Sequence, residues 1–141
     1  MNVSRVLIVD DESAIVRAYS RILEARGYSV DTASCAQEAL DLMLRVDVDV
    51  ILSDLTMPGM PGIDFLRAAR ERAPDVPVIM MTGSPSTESA VIAMERGALR
   101  YLTKPVARDI LERAMNDAID FRQAALLRRR AEGGMSSTAR A

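Results

Sequence analysis

Five side chains in this 141-residue sequence are of the kinds that handle charged oxygen: Asp10, Asp11, Asp54, Thr82 and Lys104. Lys104, in the stretch RYLTKP, is the lone lysine among 18 basic residues; the rest are arginine. An ammonium is a compact point charge on a flexible stem, able to enter a crowded anionic pocket where a guanidinium would demand two-pronged geometry. The aspartates offer hard oxygen ligands. Two carboxylates about 4 Å apart repel by about 4 kcal/mol at an effective dielectric near 20. Three such pairs rival the net stability of a whole domain, about 5–15 kcal/mol. A cluster of that kind holds together when a cation or a proton neutralises it. Mg2+ fits such ligands, keeps some of its waters and leaves positions for phosphate oxygens; Mn2+ is a possible substitute. Lys104 supplies a second, built-in cation, so the five residues point to an acidic site that handles phosphate.

Convergence of these residues depends on the elements that carry them. Five β-like runs alternate with helical patterns: RVLIVD (5–10), YSVDTA (28–33), DVILSD (49–54), VPVIMMT (76–82) and LRYLT (99–103). Continuous apolar stretches such as VLIV and VIMM suit strands buried on both faces of a parallel sheet. Ile15, Val16, Tyr19, Ile22 and Leu23 follow helical spacing, with Gly27 as a C-terminal stop. SCAQ (34–37) has capping-box spacing ahead of a helix containing Leu40 and Leu44. A third helix is expected from Gly62, a fourth between Pro85 and Gly97, and a fifth after Pro105. Strict alternation predicts a parallel sheet with helices on both faces, and ligands of such sheets sit beyond the carboxyl ends of the strands. Asp10 and Asp11 close the first strand, Asp54 the third and Thr82 the fourth, while Lys104 follows the fifth.

Each residue also has a local reading. Asp10, Asp11 or Glu12 suits the start of the first helix, with Asp11 or Glu12 the better capping candidates. Asp54 precedes LTMPGMPG and suits a turn, and Thr82 suits a helix entry. Capping alone does not require three carboxylates to meet in one crevice.

Composition removes several classes. The absence of histidine excludes imidazole chemistry and His-ligated metals. One cysteine, Cys35, makes no internal disulfide. No apolar run approaches the roughly 18–20 residues of a membrane span, and no basic leader with a cleavage site precedes VLIV, so the expectation is a soluble cytoplasmic protein without a membrane partner. Residues 1–106 carry 11 basic and 15 acidic side chains, against 7 and 5 in residues 107–141. The acidic main body is therefore no match for nucleic acid, and Arg128, Arg129 and Arg130 suit a solvated helix end.

VLIVDDE, ILSDLTMPGMPGIDFL, VPVIMMTG and RYLTKP, in this order and spacing, resemble the receiver domain of bacterial two-component response regulators, a CheY-like family, over about residues 4–122. The resemblance implies a flavodoxin-like (βα)5 α/β fold, a three-layer sandwich with parallel strand order 2-1-3-4-5. It implies transfer of a phosphoryl group from a kinase phosphohistidine to Asp54, which acts as covalent nucleophile, with only self-phosphorylation and self-dephosphorylation as activity. Asp10 and Asp11 match the acidic pair that holds Mg2+, Asp11 directly and Asp10 through water, with Asp54 and the Thr56 backbone carbonyl completing the site. Thr82 and Lys104 match the residues that engage the phosphoryl group, Thr82 and Tyr101 the switch pair, and Lys104–Pro105 a peptide that is usually cis. Thr56 and Ser84 match positions that tune phosphoryl hydrolysis. The implied partners are a sensor histidine kinase or phosphotransfer protein upstream and a downstream protein or output domain. The face of the fourth helix, fifth strand and fifth helix is expected to respond to phosphorylation.

The fifth helical pattern runs from about Val106 to Arg130, longer than a receiver requires, and carries a weak seven-residue repeat through Leu111, Ala118 and Ala125. Domain organisation is therefore expected as a receiver over 1–122, then a helix extension and a flexible tail or linker over 123–141. A homodimer through either the extended helix or the signalling face is a candidate assembly. Two alternatives remain: a single-domain regulator, or the N-terminal receiver of a longer protein with an enzymatic output such as cyclic-dinucleotide turnover or a kinase. A phosphorylation-independent interaction module is a third. A flavodoxin-type flavin binder would need a phosphate cradle where DDES stands, and a haloacid-dehalogenase-type phosphatase would need an acid where Thr56 stands.

Overall fold

The computed structural model describes residues 4–140, with side chains described for residues 4–133. Its strands are β1 (Arg5–Val9), β2 (Ser29–Ala33), β3 (Val50–Asp54), β4 (Val78–Thr82) and β5 (Arg100–Thr103), and its helices α1 (Ser13–Ala25), α2 (Ala36–Met43), α3 (Gly62–Arg72), α4 (Thr87–Glu95) and α5 (Arg108–Arg140). All strand pairs are parallel, in the order β2-β1-β3-β4-β5. The parallel sheet is the one expected from the alternating pattern, and its strand order is the flavodoxin-like order that the resemblance implies.

The run VLIV is apolar throughout because both faces of β1 are covered. Leu7 and Val9 face a core shared with Phe65 and Leu66 of α3 and Ala39 and Leu40 of α2. Val6 and Ile8 face a second core with Tyr19 and Leu23 of α1 and Leu111 and Met115 of α5. In β4, Met80 belongs to the first core and Met81 to the second, so these two methionines are packing residues. The alternation of side chains along a strand thus divides one apolar run between two helix layers.

At the end of α1, Gly27 adopts φ +92°. The amide of Tyr28 bonds the Leu23 carbonyl at 3.1 Å and that of Gly27 the Glu24 carbonyl at 3.0 Å, a left-handed stop that favours glycine. The capping box expected at Ser34 does not form. Cys35 occupies the N-cap of α2 without a side-chain cap bond, the Ser34 hydroxyl donates to Glu38 at 2.9 Å, and the Gln37 amide turns forward to Asp41. The i,i+4 partners on the helix surface outcompete the cap. Leu44, expected within this helix, is its C-cap and is 74% exposed.

The helix α5 begins at Arg108 and continues past Arg130 to Arg140, where the sequence pattern gives a flexible tail; residue 141 lies outside the described residues. The stretch contains no proline, and its two glycines weaken a helix by about 1 kcal/mol each without blocking its hydrogen bonds. Beyond residue 120 the helix still touches the body. Arg122 bonds Asp49 at 3.2 Å, Arg129 bonds Asp75 at 3.2 Å, and Ala125 is buried.

Candidate functional site

Sheet register brings the site together. Val9 lies beside Ser53, Asp54 beside Met81, and Thr82 beside Thr103. The strands therefore end nearly level, and the next polar residue on each enters one crevice. Main-chain bonds hold these exits: Asp10 N–H to the Ala33 carbonyl at 3.0 Å, Leu55 N–H to Met81 at 2.8 Å, and Lys104 N–H to Thr82 at 2.7 Å. Behind Asp54, the loop closes because α3 starts with glycine. The Gly62 amide bonds the Leu55 carbonyl at 3.1 Å, and a Cβ on Gly62 would overlap that same backbone group.

Asp10, Asp54 and Thr82 are buried, while Asp11 is exposed at the mouth. One carboxylate oxygen from each of Asp10, Asp11 and Asp54 lies within 4.8 Å of the others. Lys104 Nζ stands 2.7 Å from Asp10 Oδ2 and 3.2 Å from Asp54 Oδ2, with its side chain only 8% exposed. Asp10 Oδ1 accepts from the Glu12 amide at 2.9 Å, and Asp54 Oδ1 from the Thr56 amide at 3.1 Å. The local and functional readings of these aspartates thus coexist on different oxygens. At the start of α1 the capping role expected of Asp11 or Glu12 is not filled: Glu12 is the N-cap but makes no side-chain cap bond. Instead the Asp10 carboxylate reaches forward two residues and accepts from the amide of Glu12 itself.

Burial pushes the Asp54 carboxyl above the usual aspartate range, and the Thr56 amide and the Lys104 ammonium only partly offset this. Burial also opposes the Lys104 ammonium, but its bonds to Asp10 and its attraction to Asp54 prevail and hold it above the ordinary lysine value. Three acids against one ammonium leave the crevice with excess negative charge. Its donors are all hard carboxylate oxygens, the set that suits Mg2+.

Thr82 Oγ1 accepts from the Ser84 amide at 3.0 Å. Tyr101 is half-buried, its ring packed on the α3/α4 side of the sheet. The Lys104–Pro105 peptide is cis.

A family model for the response regulator receiver domain matches residues 6–116. The chain belongs to this family. As a receiver it has the phosphoacceptor role of two-component signalling. It is similar to the alginate biosynthesis transcriptional regulatory protein AlgB of Pseudomonas aeruginosa, 41% identical over 119 residues, which are 84% of this chain and 26% of that protein. The CheY-like receiver domain protein of Methanospirillum hungatei superposes with a TM-score of 0.83 at 33% identity, covering 87% of this chain and 98% of that one. The beryllofluoride-activated NtrC4 receiver domain dimer gives a TM-score of 0.75 at 36% identity, covering 86% of this chain and 98% of that one. The chain spans between about a quarter and a half of the length of the curated relatives it matches. No described helix is long and apolar enough to cross a membrane.

Three features of the receiver escape the sequence pattern. The Tyr101 hydroxyl lies 2.5 Å from Ser89 Oγ and accepts from the Ser86 amide at 3.3 Å. The Tyr19 hydroxyl accepts from the Val106 amide at 3.1 Å. An apolar groove of about 570 Å³ runs beside Lys104, walled by Ile15, Ala18, Ile22 and Pro105. Ser86-x-x-Ser89 carries N-cap-to-N3 spacing and signals a helix start, but nothing local indicates that a tyrosine twelve residues on would join it.

Proposed function

We propose that this receiver accepts a phosphoryl group on Asp54 and signals through the face formed by α4, β5 and α5. The observation that carries the proposal is the buried ammonium of Lys104 set between Asp10 and Asp54, with the three carboxylates gathered at the strand ends. Asp10, Asp11, Asp54 and the Thr56 backbone carbonyl would hold Mg2+, which when bound neutralises charge on the transferring group.

The remaining steps belong to the chain's own side chains. An oxygen of ionised Asp54 attacks the donor phosphorus. The new P–O bond forms as the bond to the leaving group breaks, and the leaving group keeps the electron pair: a histidine nitrogen from a kinase or phosphotransfer protein, or an acetate oxygen from acetyl phosphate. No general base is required, because the nucleophile is already a carboxylate. The Thr56 amide orients one Asp54 oxygen and leaves the other towards Lys104. Lys104 is placed to exchange its Asp54 contact for a phosphoryl oxygen, and Thr82 presents its hydroxyl from the adjacent strand end. A phosphoryl group adds roughly −1.5 to −2 charges, so Thr82 is drawn towards it and Tyr101 responds as the second switch residue.

The downstream partner is a protein surface, in the same polypeptide or in another. Exposed Val91 and Met94 on α4 and Ile110 on α5 make homodimerisation on activation part of the proposal. The NtrC4 receiver, a dimer when activated with beryllofluoride, supports it.

Incubation with acetyl phosphate should yield one phosphoryl adduct per chain with Mg2+ and none after chelation. Asp54→Asn should abolish it. Continuous turnover of phosphate esters without a stoichiometric adduct would replace the phosphoacceptor with a phosphatase.

A further inference from the structure

The hydroxyl groups of Ser86, Ser89 and Tyr101 form a closed hydrogen-bonded set linking β5 to the first turn of α4. Ser86 is the N-cap of α4, its Oγ accepting from the Ser89 amide at 3.0 Å. Ser86 Oγ donates to Ser89 Oγ at 2.9 Å, and Ser89 Oγ reaches the Ser86 carbonyl at 3.2 Å. Ser89 Oγ also lies 2.5 Å from the Tyr101 hydroxyl, which accepts from the Ser86 amide. One proton assignment satisfies every member. Tyr101 and Ser86 donate to the two lone pairs of Ser89 Oγ, and Ser89 donates to the Ser86 carbonyl. Tyr101 is then tied to α4 at two points.

The same segment is tied to the crevice. Thr82 Oγ1 holds the Ser84 amide, and one residue, Pro85 with its fixed φ, separates Ser84 from Ser86. A Thr82 hydroxyl that turns towards a phosphoryl oxygen alters its hold on Ser84, and the shift passes to the Ser86 amide and to the serine pair gripping Tyr101.

We propose that Ser89 is a positioning residue that latches Tyr101 against the first turn of α4 in the unphosphorylated receiver, so that phosphorylation acts by releasing this latch. The inference rests on the receiver function proposed above and adds to it the group that opposes the switch. Removing the Ser89 hydroxyl raises the population of the released state by about fivefold, the effect of one hydrogen bond of ordinary net strength. Because the released state is the one that favours the phosphoryl group, Asp54 labelling accelerates by a similar factor.

The test uses the whole chain labelled with fluorotyrosine, with the Tyr101 resonance assigned through Tyr101→Phe and Tyr19 and Tyr28 as internal controls. Fluorine NMR spectra are compared with and without Mg2+ and beryllofluoride, alongside rates of Asp54 labelling by acetyl phosphate. In unphosphorylated Ser89→Ala, the Tyr101 resonance should move towards its beryllofluoride position and labelling should accelerate about fivefold. Ser89→Thr, which keeps a hydroxyl, should restore both. Alanine favours the helix, so the variant folds. A Tyr101 resonance at its wild-type position, or a labelling rate changed by less than about twofold, overturns the latch. Failure of wild-type labelling at Asp54 would instead overturn the receiver function, so the two failures are distinguishable.

Discussion

Replacing Lys104 with methionine removes the ammonium and keeps a flexible apolar stem of comparable length. The ammonium is the nearest counter-charge to two carboxylates whose side chains are at most 6% exposed. Without it, Asp10, Asp11 and Asp54 face one another within 4.8 Å, where each charged pair repels by about 3.5 kcal/mol at an effective dielectric near 20. Losing one partner of a buried ion pair costs about 3–5 kcal/mol, a large part of the 5–15 kcal/mol that holds a domain of this size together. Urea unfolding followed by circular dichroism at pH 7 in a chelator should show a loss of that size for Lys104→Met. Two further features identify the cause as charge rather than packing. The deficit should shrink as pH falls through the carboxylate range, because protonation removes the repulsion. Mg2+ should stabilise the variant more than the wild type, because the ion takes the place of the missing counter-charge. A loss below about 1 kcal/mol, or a deficit unchanged by both acid and Mg2+, would refute the electrostatic account of the crevice.

The remaining predictions concern single contacts. Asp54 is held above its ordinary pKa by burial, so its contribution favours the fold below the unfolded value and is lost as pH rises through the folded one. Asp54→Asn should therefore raise stability at neutral pH by about 0.5–2 kcal/mol, measured by urea unfolding without Mg2+. Lys104 has a raised pKa, so its stabilisation is complete below the ordinary lysine value and disappears as pH rises through the raised one; an alkaline unfolding profile should lose this limb in Lys104→Met. Gly62→Ala should cost about 1–3 kcal/mol through overpacking against Leu55 and slow Asp54 labelling, read by thermal melts and by labelling rate. Tyr19→Phe leaves the Val106 amide without its partner and should cost about 1–3 kcal/mol with the labelling rate retained.

The fold was legible because burial on two faces writes continuous apolar runs, as in VLIV and VIMM, and because Gly27 and Pro105 punctuate the helices. The crevice was legible because strand ends in a parallel sheet are level, so Asp10, Asp54, Thr82 and Lys104 needed only their positions in the runs to be brought together. Contacts set by tertiary approach were hidden. Arg122 with Asp49 and Arg129 with Asp75 join residues 73 and 54 apart, and no local pattern separates these arginines from solvated Arg128 and Arg130. The tie between Tyr101 and Ser89 depends on the way α4 crosses over β5, which the sequence spacing leaves open. At Ser34, two competing hydrogen-bond partners lay within reach, and spacing alone did not rank them.

Borohydride trapping after treatment with acetyl phosphate and Mg2+, followed by peptide mass spectrometry, reads the central claim at the level of a single atom. An aspartyl phosphate is reduced to homoserine, so the account predicts that modification at position 54 and at no other aspartate. Reduction at Asp10 or Asp11, or an unmodified chain under conditions that label a known receiver, would contradict it.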